Sequence, residues 1–495
     1  VAERVFRLYD SLTKKVIPLE TGEPGRLKFY SCGPTVYSYA HIGNFRSFLT
    51  ADLIVRTAKV LGWRVTWVTN ITDVGHLTED DVADAVGEDK MERALRSKEG
   101  EHFANVWELA EYYTEAYKQD WRALNLTEPT IRPKATQHVS EQIRATEALI
   151  ASGHAYQTPD AVYFRVSSFP EYGKLSGNTQ ENLRRGVREV VVDANKEDPA
   201  DFAIWKKDDR HLMQWFSPFG WGFPGWHIEC SVMAREYLGD TIDLHSGGED
   251  NMFPHHECEI AQSESLTGKP FSRHWVHTRF LQVNGEKMAK SAGNFYTVRG
   301  LMEKGFDPLA IRLALIGGVY GKPLNFTDQG LIDAMGNIDR IRRAQADVRE
   351  ALAAERPGDD RLGESLDELA DEALSAMLDD LNTAIAVAKV LEGVRMITRA
   401  GGELSAASAR AGERFLATVD SLLGIVPSAE EAPKPADSGV DSALIEARIA
   451  ERATAKKDRD FARADAIRAE LDAQGIELRD TPEGTEWALK RTLSV

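Results

Sequence analysis

An α/β fold built on a parallel sheet, followed by an all-helical region, is the architecture this sequence predicts, and three observations carry it. Near the start, the apolar runs Leu27 to Tyr30 and Val65-Thr66-Trp67-Val68 flank a helical pattern, Phe45, Phe48, Leu49 and Leu53, whose spacing of three and four marks one buried face. Strand, helix and strand in that order form a βαβ unit, which implies parallel strands, helices on the sheet faces and ligands at the C-terminal strand ends. From about residue 326 the pattern is helical throughout, with Ile332, Met335, Ile338 and Ile341, then Leu374, Met377, Leu378, Leu381, Ile385 and Ala388 at helix spacing, which describes a bundle. Between the two, Pro129, Pro133, Gly153, Pro159, Pro170, Gly173 and Gly177 punctuate a segment of different texture.

Taken in order, residues 1–126 are expected to form the first half of a Rossmann-like domain, and 127–215 an inserted connective lobe with a helix expected from Thr136 to Ala151 and a strand at Ala161 to Phe164. The βα texture resumes in 216–283, the second half of the domain. A linking region, 284–325, contains Lys287 to Ser291 and the apolar helix Leu309 to Ile316. The bundle spans 326–425, a Pro-rich polar linker 426–441, and a small C-terminal α/β domain 442–495, with a charged helix pair and a strand-like end at Gly475 to Leu478.

The totals bound the function. The chain has 495 residues, 42% hydrophobic and 28% charged, as in an ordinary globular protein. No apolar run approaches the roughly 20 residues needed to cross a bilayer, and Val1-Ala2-Glu3-Arg4 is not a secretory signal, so the cytoplasm is the expected location, with no membrane partner. Three cysteines, Cys32, Cys230 and Cys258, are too few for a disulfide framework and are free thiols or ligands. The net charge of −18 argues against a nucleic-acid partner only at first sight. Residues 351–441 hold 8 Lys/Arg against 18 Asp/Glu, a local net of −10, so more than half of the acidity sits in one segment.

The chemistry concentrates in four stretches. Cys32-Gly33-Pro34-Thr35-Val36-Tyr37-Ser38-Tyr39-Ala40-His41-Ile42-Gly43-Asn44 joins the first strand to the helix; unpaired N–H groups at such a helix start attract phosphate, Gly43 lets it approach, and His41 adds a donor. Thr69-Asn70-Ile71-Thr72-Asp73 ends the second strand and points polar groups at the same crevice. Downstream, Pro254 suits the first turn of a helix, from which His255 and Glu259, at i and i+4, face one way while His256 and Glu257 point elsewhere and Cys258 inward. With Cys32 and Cys230 they form a plausible zinc set; the alternative is that Cys230 and Cys258 are buried small hydrophobes. Lys287 and Lys290, beside Gly285, suit a polyphosphate.

These motifs together resemble the cysteinyl-tRNA synthetases, class I aminoacyl-tRNA synthetases, over nearly the whole chain. His41-Ile42-Gly43-Asn44 is similar to the family's HIGN form of the HIGH motif, and Lys287-Met288-Ala289-Lys290-Ser291 to KMSKS. Trp226 to Cys230 matches WHIEC, Phe253 to Glu257 matches FPHHE, and Pro323 to Phe326 the entry to the anticodon-binding bundle.

The resemblance implies one zinc ion per chain on Cys32, Cys230, His255 and Glu259, with substrate cysteine held through its sulfur near Cys32, Cys230, Thr72 and Trp226. A metal that requires sulfur rejects serine far better than an apolar pocket does. It implies ATP, with Mg²⁺, at His41, Gly43, Asn44, Gly247, Gly248, Asp250 and Lys290, and reaction steps assisted by His41, Asn44, Lys287 and Lys290. Cysteinyl-adenylate formation and transfer to the terminal ribose of tRNA(Cys) are the two expected steps, with L-cysteine, ATP and tRNA(Cys) as partners and a monomer as the family's frequent state. Two departures stand out: Ala289 replaces a serine, and Val74-Gly75-His76 stands where acidic residues are usual.

Two rivals remain at this point. A ligase passing activated cysteine to a small amine, as in mycothiol biosynthesis, lacks most of the C-terminal region, whereas residues 326–495 here include Trp487, Lys456, Lys457, Arg459, Arg463, Lys490 and Arg491 for tRNA contact. A non-catalytic tRNA-binding paralogue usually loses motif residues, and here they are in place.

Overall fold

The computed structural model describes residues 4–79, 86–178, 195–288, 293–428, 442–458, 460–473, 476–481 and 484–489. Of the residues singled out above, Val1 to Glu3, Ala289, Lys290, Ser291, Arg459, Gly475, Lys490 and Arg491 lie outside them, as does linker 429–441; the side chains of Lys287 and Trp487 lie outside as well.

An antiparallel pair, β1 (Arg7–Asp10) and β2 (Lys15–Pro18), precedes β3 (Arg26–Ser31). Next come α1 (Ile42–Val60) and β4 (Arg64–Thr69), which pairs in parallel with β3 as the βαβ pattern requires. Helix α1 buries Phe45, Phe48, Leu49, Leu53 and also Ile54 and Ala58, because it is covered on both sides. A small hairpin, β5 (Leu77–Glu79) and β6 (Val86–Asp89), then leads into α2 (Lys90–Leu95) and α3 (Val106–Ala123).

Ile131 and Lys134 run parallel to β4 through Val68 and Ile71, so the chain still extends the main sheet there. A turn at Ala135–His138 precedes α4 (Val139–Ala151), which starts three residues after the expected Thr136. Strands β7 (Ala155–Gln157), β8 (Ala161–Phe164), β9 (Phe202–Lys207), β10 (Trp215–Ser217) and β11 (Gly220–Pro224) form an antiparallel sheet in the order β10-β11-β9-β8-β7. This lobe sheet therefore continues past residue 215, to Pro224.

Chain and main sheet rejoin at α5 (Trp226–Leu238), β12 (Ile242–Gly248), α6 (Glu257–Thr267) and β13 (Ser272–Thr278). The sheet order is β13-β12-β3-β4, every pair parallel. Strand order reverses between β3 and β12, and the crevice beyond their C-terminal ends is where such a sheet binds ligands. Cys32 follows β3 and Gly247-Gly248 closes β12, so the topology alone brings two of the motifs together.

Beyond the sheet, β14 (Leu281–Val283) and β15 (Glu286–Lys287) are followed by α7 (Val298–Glu303), α8 (Pro308–Ile316) and β16 (Leu324–Phe326). The bundle comprises α9 (Asp328–Ala353), α10 (Gly363–Leu378), α11 (Thr383–Ala400) and α12 (Ala406–Leu423). Ile338, Ile341 and Met377 are buried, whereas Ile332 and Ile385 face solvent despite fitting the helical period. Helices α11 and α12 cross where a Cβ on Gly393 would meet the Phe415 ring at 2.3 Å. The C-terminal unit, α13 (Ser442–Lys457), α14 (Phe461–Ala473) and the hairpin β17 (Ile476–Thr481) with β18 (Gly484–Leu489), has its own core of Ile445, Ile467, Leu471, Ile476 and Leu478.

Candidate active site and metal centre

At the end of β3 the chain turns through Gly33, whose N–H donates to Asn70 Oδ1 at 2.8 Å. A Cβ there would lie 1.7 Å from the Asn70 carbonyl oxygen, so only glycine lets the Cys32 loop lie against the end of β4. Asn70 Nδ2 donates to Thr72 Oγ1 at 3.0 Å, and Thr72 exchanges backbone bonds with Pro34 and Val36. The two polar stretches that end β3 and β4 are thus one hydrogen-bonded unit.

His41 caps α1. Its Nδ1 accepts the Asn44 N–H at 3.1 Å while Asn44 Oδ1 accepts the His41 N–H at 3.1 Å, a reciprocal capping box. Because Nδ1 is the acceptor, the neutral His41 ring carries its proton on Nε2. A Cβ on Gly43 would crowd the His41 ring at 3.0 Å and Met288 at 3.2 Å, which explains the glycine at the second helical position.

A cavity of about 310 Å³ joins these parts. Its walls include Cys32, His41, Asn44, Thr72, Trp226, Cys230, Asp250 and His255. Gly247 and Gly248 pack against this region: a Cβ on Gly247 would meet His256 at 2.8 Å, and one on Gly248 would meet Asp250. The Gly248 N–H is held by Asn251 Oδ1 at 3.0 Å. Lys287 ends β15 opposite Gln282, and Met288 beside it reaches Gly43, which places Lys287 and Met288, the first two residues of the lysine motif, near the start of α1.

At the deep end, one ligand atom each from Cys32, Cys230, His255 and Glu259 lies within 4.8 Å of the others. Helix α6 starts only at Glu257. Phe253, which precedes a proline and is therefore kept from helical geometry, sits at φ −141° and ψ 132° within the turn Met252–His256, and the Phe253–Pro254 peptide is cis. His255 and Glu259 nevertheless converge, Nε2 to Oε1 at 2.8 Å. Glu257 turns away to accept the Gly173 and Ser176 N–H groups, each at 2.9 Å, and Cys258 is buried against Tyr172, as the sequence suggests.

The expectation that His256 points elsewhere is overturned. Its Nε2 lies 3.2 Å from Cys32 Sγ, and a chain continues through His277 at 2.8 Å to Ser11 Oγ at 2.8 Å. His245 meets the other oxygen of Glu259 at 2.7 Å, so Cys32, His245, His256 and Glu259 form a second overlapping group. The wide turn before α6 is what swings His256 inward, a local geometry that helix periodicity does not encode.

Electrostatics favour a cation. Burial pushes the Cys230 thiol up, but a hydrogen bond from Cys32 and the proton on His255 outweigh it and hold Cys230 at about 6. Burial and the neighbouring Cys230 push Cys32 up. Burial opposes charge on His255, yet Glu259 and Cys230 raise it to about 10; burial likewise opposes charge on Glu259, yet His245 and His255 hold it at about 2. His256 is pushed down by burial and by its histidine neighbours, so it stays neutral. Two sulfurs, an imidazole and a carboxylate, converging and buried, fit a zinc ion by their donor chemistry. Three of the four, Cys32, Cys230 and His255, also line the cavity.

Lys90, Asn251 and Phe295, to which the sequence reading gave no role, complete the walls together with Thr35, Asn70 and His76, which it named only within longer runs. Trp226 stacks on both His255, at 4.2 Å and 26°, and His76, at 4.4 Å and 19°.

Comparison with known proteins identifies the family. Residues 18–336 match the family described as tRNA synthetases class I (C) catalytic domain. A cysteine–tRNA ligase of Salinibacter ruber is 53% identical, covering 97% of this chain and 98% of its own. One from Thermus thermophilus is 42% identical over 98% and 99%. In fold, the chain is similar to Mycobacterium tuberculosis methionyl-tRNA synthetase in complex with methionyl-adenylate, with a TM-score of 0.59, 13% identity and coverage of 81% and 92%. With a family match over more than half its length and full-length relatives far above 30% identity, the chain belongs to the class I tRNA synthetases of the cysteine–tRNA ligase family.

Proposed function

We propose that this protein ligates L-cysteine to tRNA(Cys) in two steps. The observation that carries the reading is one cavity with two thiols and an imidazole, backed by the Glu259 carboxylate, at one end and the His41-capped start of α1 at the other. In the first step the cysteine carboxylate attacks the α-phosphorus of ATP and pyrophosphate leaves. In the second, the terminal ribose hydroxyl of tRNA attacks the carbonyl of the adenylate and AMP leaves.

Cys32, Cys230, His255 and Glu259 would hold one zinc ion, which supplies a soft cation that favours a thiolate over a hydroxyl. Trp226 and Thr72 then bound the amino acid, and Asn70 fixes Thr72. His41 and the N-terminus of α1 stabilise negative charge on the phosphates, with Asn44 locking the His41 tautomer. Gly43, Gly247 and Gly248 let the nucleotide approach the backbone, with Asp250 beside it. Lys287 and Lys290 neutralise the departing pyrophosphate, and Mg²⁺ bound with ATP would add positive charge there. The tRNA contacts fall to the bundle and the C-terminal unit, including Lys456, Lys457 and Arg463. Among the described residues no helix is long and apolar enough to cross a membrane; a cytoplasmic monomer is the form proposed.

The test is cysteine-dependent ATP–pyrophosphate exchange on metal-quantified protein, with serine as competitor, followed by tRNA charging. Exchange with cysteine alone at about one zinc per chain supports the reading. Exchange with serine as well overturns the metal's part in it, and transfer to a small amine instead of tRNA overturns the acceptor.

A further inference from the structure

His76, the last residue of the run Val74-Gly75-His76 that departs from the resemblance, is brought into the cavity. His76 and Lys90 stand at the neck of the β5–β6 hairpin and are joined twice. The Lys90 N–H donates to the His76 carbonyl at 2.9 Å, and Lys90 Nζ lies 3.1 Å from His76 Nε2. The other ring nitrogen, Nδ1, lies 2.6 Å from Thr35 Oγ1.

The direction of these bonds follows from the groups. An ammonium has no lone pair, so Lys90 donates and His76 Nε2 accepts. The His76 proton therefore sits on Nδ1, and that N–H donates to Thr35 Oγ1. With one lone pair of Thr35 so engaged, its own proton turns toward another acceptor, and Thr35 lines the cavity three residues from Cys32. Of the polar groups of a bound cysteine, the ammonium only donates and the sulfur is held at the metal set, which leaves the carboxylate. The same His76 ring stacks on Trp226, which stacks in turn on His255.

We propose that His76 and Lys90 are positioning residues for the amino-acid substrate, acting through Thr35 and Trp226: Lys90 sets the His76 tautomer, His76 turns the Thr35 hydroxyl toward the substrate carboxylate, and its ring braces the indole against His255. The inference rests on the cysteine-activating reading above and names the part of the substrate this corner recognises.

Pyrophosphate-exchange kinetics on the full chain provide the test. His76→Ala and Lys90→Ala raise the KM for cysteine about 5- to 10-fold, the loss of one or two directed hydrogen bonds, and leave the KM for ATP and the zinc content unchanged. Lys90→Arg restores most of the loss. Thr35→Ala with Lys90→Ala is little worse than Thr35→Ala alone, since both act on one bond. Cysteamine, which lacks the carboxylate, inhibits the wild type and Lys90→Ala equally. Additive effects of Thr35 and Lys90, an unchanged cysteine KM in Lys90→Ala, or weaker inhibition of Lys90→Ala by cysteamine would overturn the assignment while leaving cysteine activation intact. A wild-type protein that exchanges no pyrophosphate with cysteine overturns the parent reading and this one together.

Discussion

The Arg312 guanidinium rests on the Asp52 carboxylate, both wholly buried, and gives its remaining donors to the carbonyls of Leu423 at 2.7 Å, Leu124 at 2.9 Å and Asn125 at 3.0 Å. Arg56 adds a second bond to Asp52 at 2.9 Å and reaches the Asp420 carbonyl at 2.8 Å. Asp52 and Arg56 lie on α1, the helix that His41 caps, while Asp420 and Leu423 end α12 of the bundle. One ion cluster therefore ties the start of the reaction site to the helices proposed to read tRNA.

Asp52→Asn strands a buried Arg312 and is expected to cost about 3–5 kcal/mol, because the charge loses its partner without regaining water. The sign with pH is fixed by the pair. Burial raises the Asp52 pKa, but Arg312 and Arg56 outweigh it and hold it below its ordinary value. Its contribution is therefore complete above the unfolded carboxylate pKa and disappears as pH falls through the lower folded value. Urea unfolding of wild type and variant should converge in acid and separate toward neutrality; curves that keep a constant gap would rule this account out.

Zinc uptake should release protons. Without metal at neutral pH, Cys230 at about 6 and Glu259 at about 2 are already ionised, whereas Cys32 is pushed up and His255 is raised to about 10, so both hold a proton. Loading all four ligands expels about two protons per zinc. Calorimetry of zinc binding in two buffers of different ionisation enthalpy counts them, and a count near zero would mean that Cys32 and His255 are not both ligands.

Much of this was legible in the chain. The βαβ unit came from the spacing of Phe45, Phe48, Leu49 and Leu53 between two apolar runs, and His255 with Glu259 from a separation of four, because both signals are local periodicities. What stayed hidden depends on tertiary placement. His256 enters the metal region through a turn that no pattern announces, and Ile332 and Ile385 fit the helical period yet face solvent because no element covers them. His76 carried only a weak signal, its departure from the family pattern, and its contact with Thr35 needs the β5–β6 neck folded back onto the Cys32 loop.

Gly33→Ala should separate metal binding from folding. The added Cβ would lie 1.7 Å from the Asn70 carbonyl oxygen, and backbone on both sides leaves no flexible tip to move. The Cys32 loop must then lift away from the end of β4, taking a ligand with it. Zinc content is expected to fall well below one per chain and exchange to be lost, with the far-ultraviolet circular dichroism retained. Stoichiometric zinc in this variant would show that the loop tolerates the shift.

Removing residues 442–495 tests the division of labour between the ends of the chain. Ile445, Ile467, Leu471, Ile476 and Leu478 pack together as a core distinct from that of the rest of the molecule, so their loss leaves the sheet, the cavity and the Asp52–Arg312 cluster intact. Cysteine-dependent pyrophosphate exchange, which needs only the cavity, should persist. Charging should fall about 10- to 100-fold, the scale of one or two lost contacts to unpaired bases with the accompanying phosphates. The drop should shrink as salt is raised, because the phosphate part of the lost contacts is screened in the intact protein too. Equal loss of exchange and charging would instead make the C-terminal unit part of the catalytic fold and remove the reason for assigning it to tRNA.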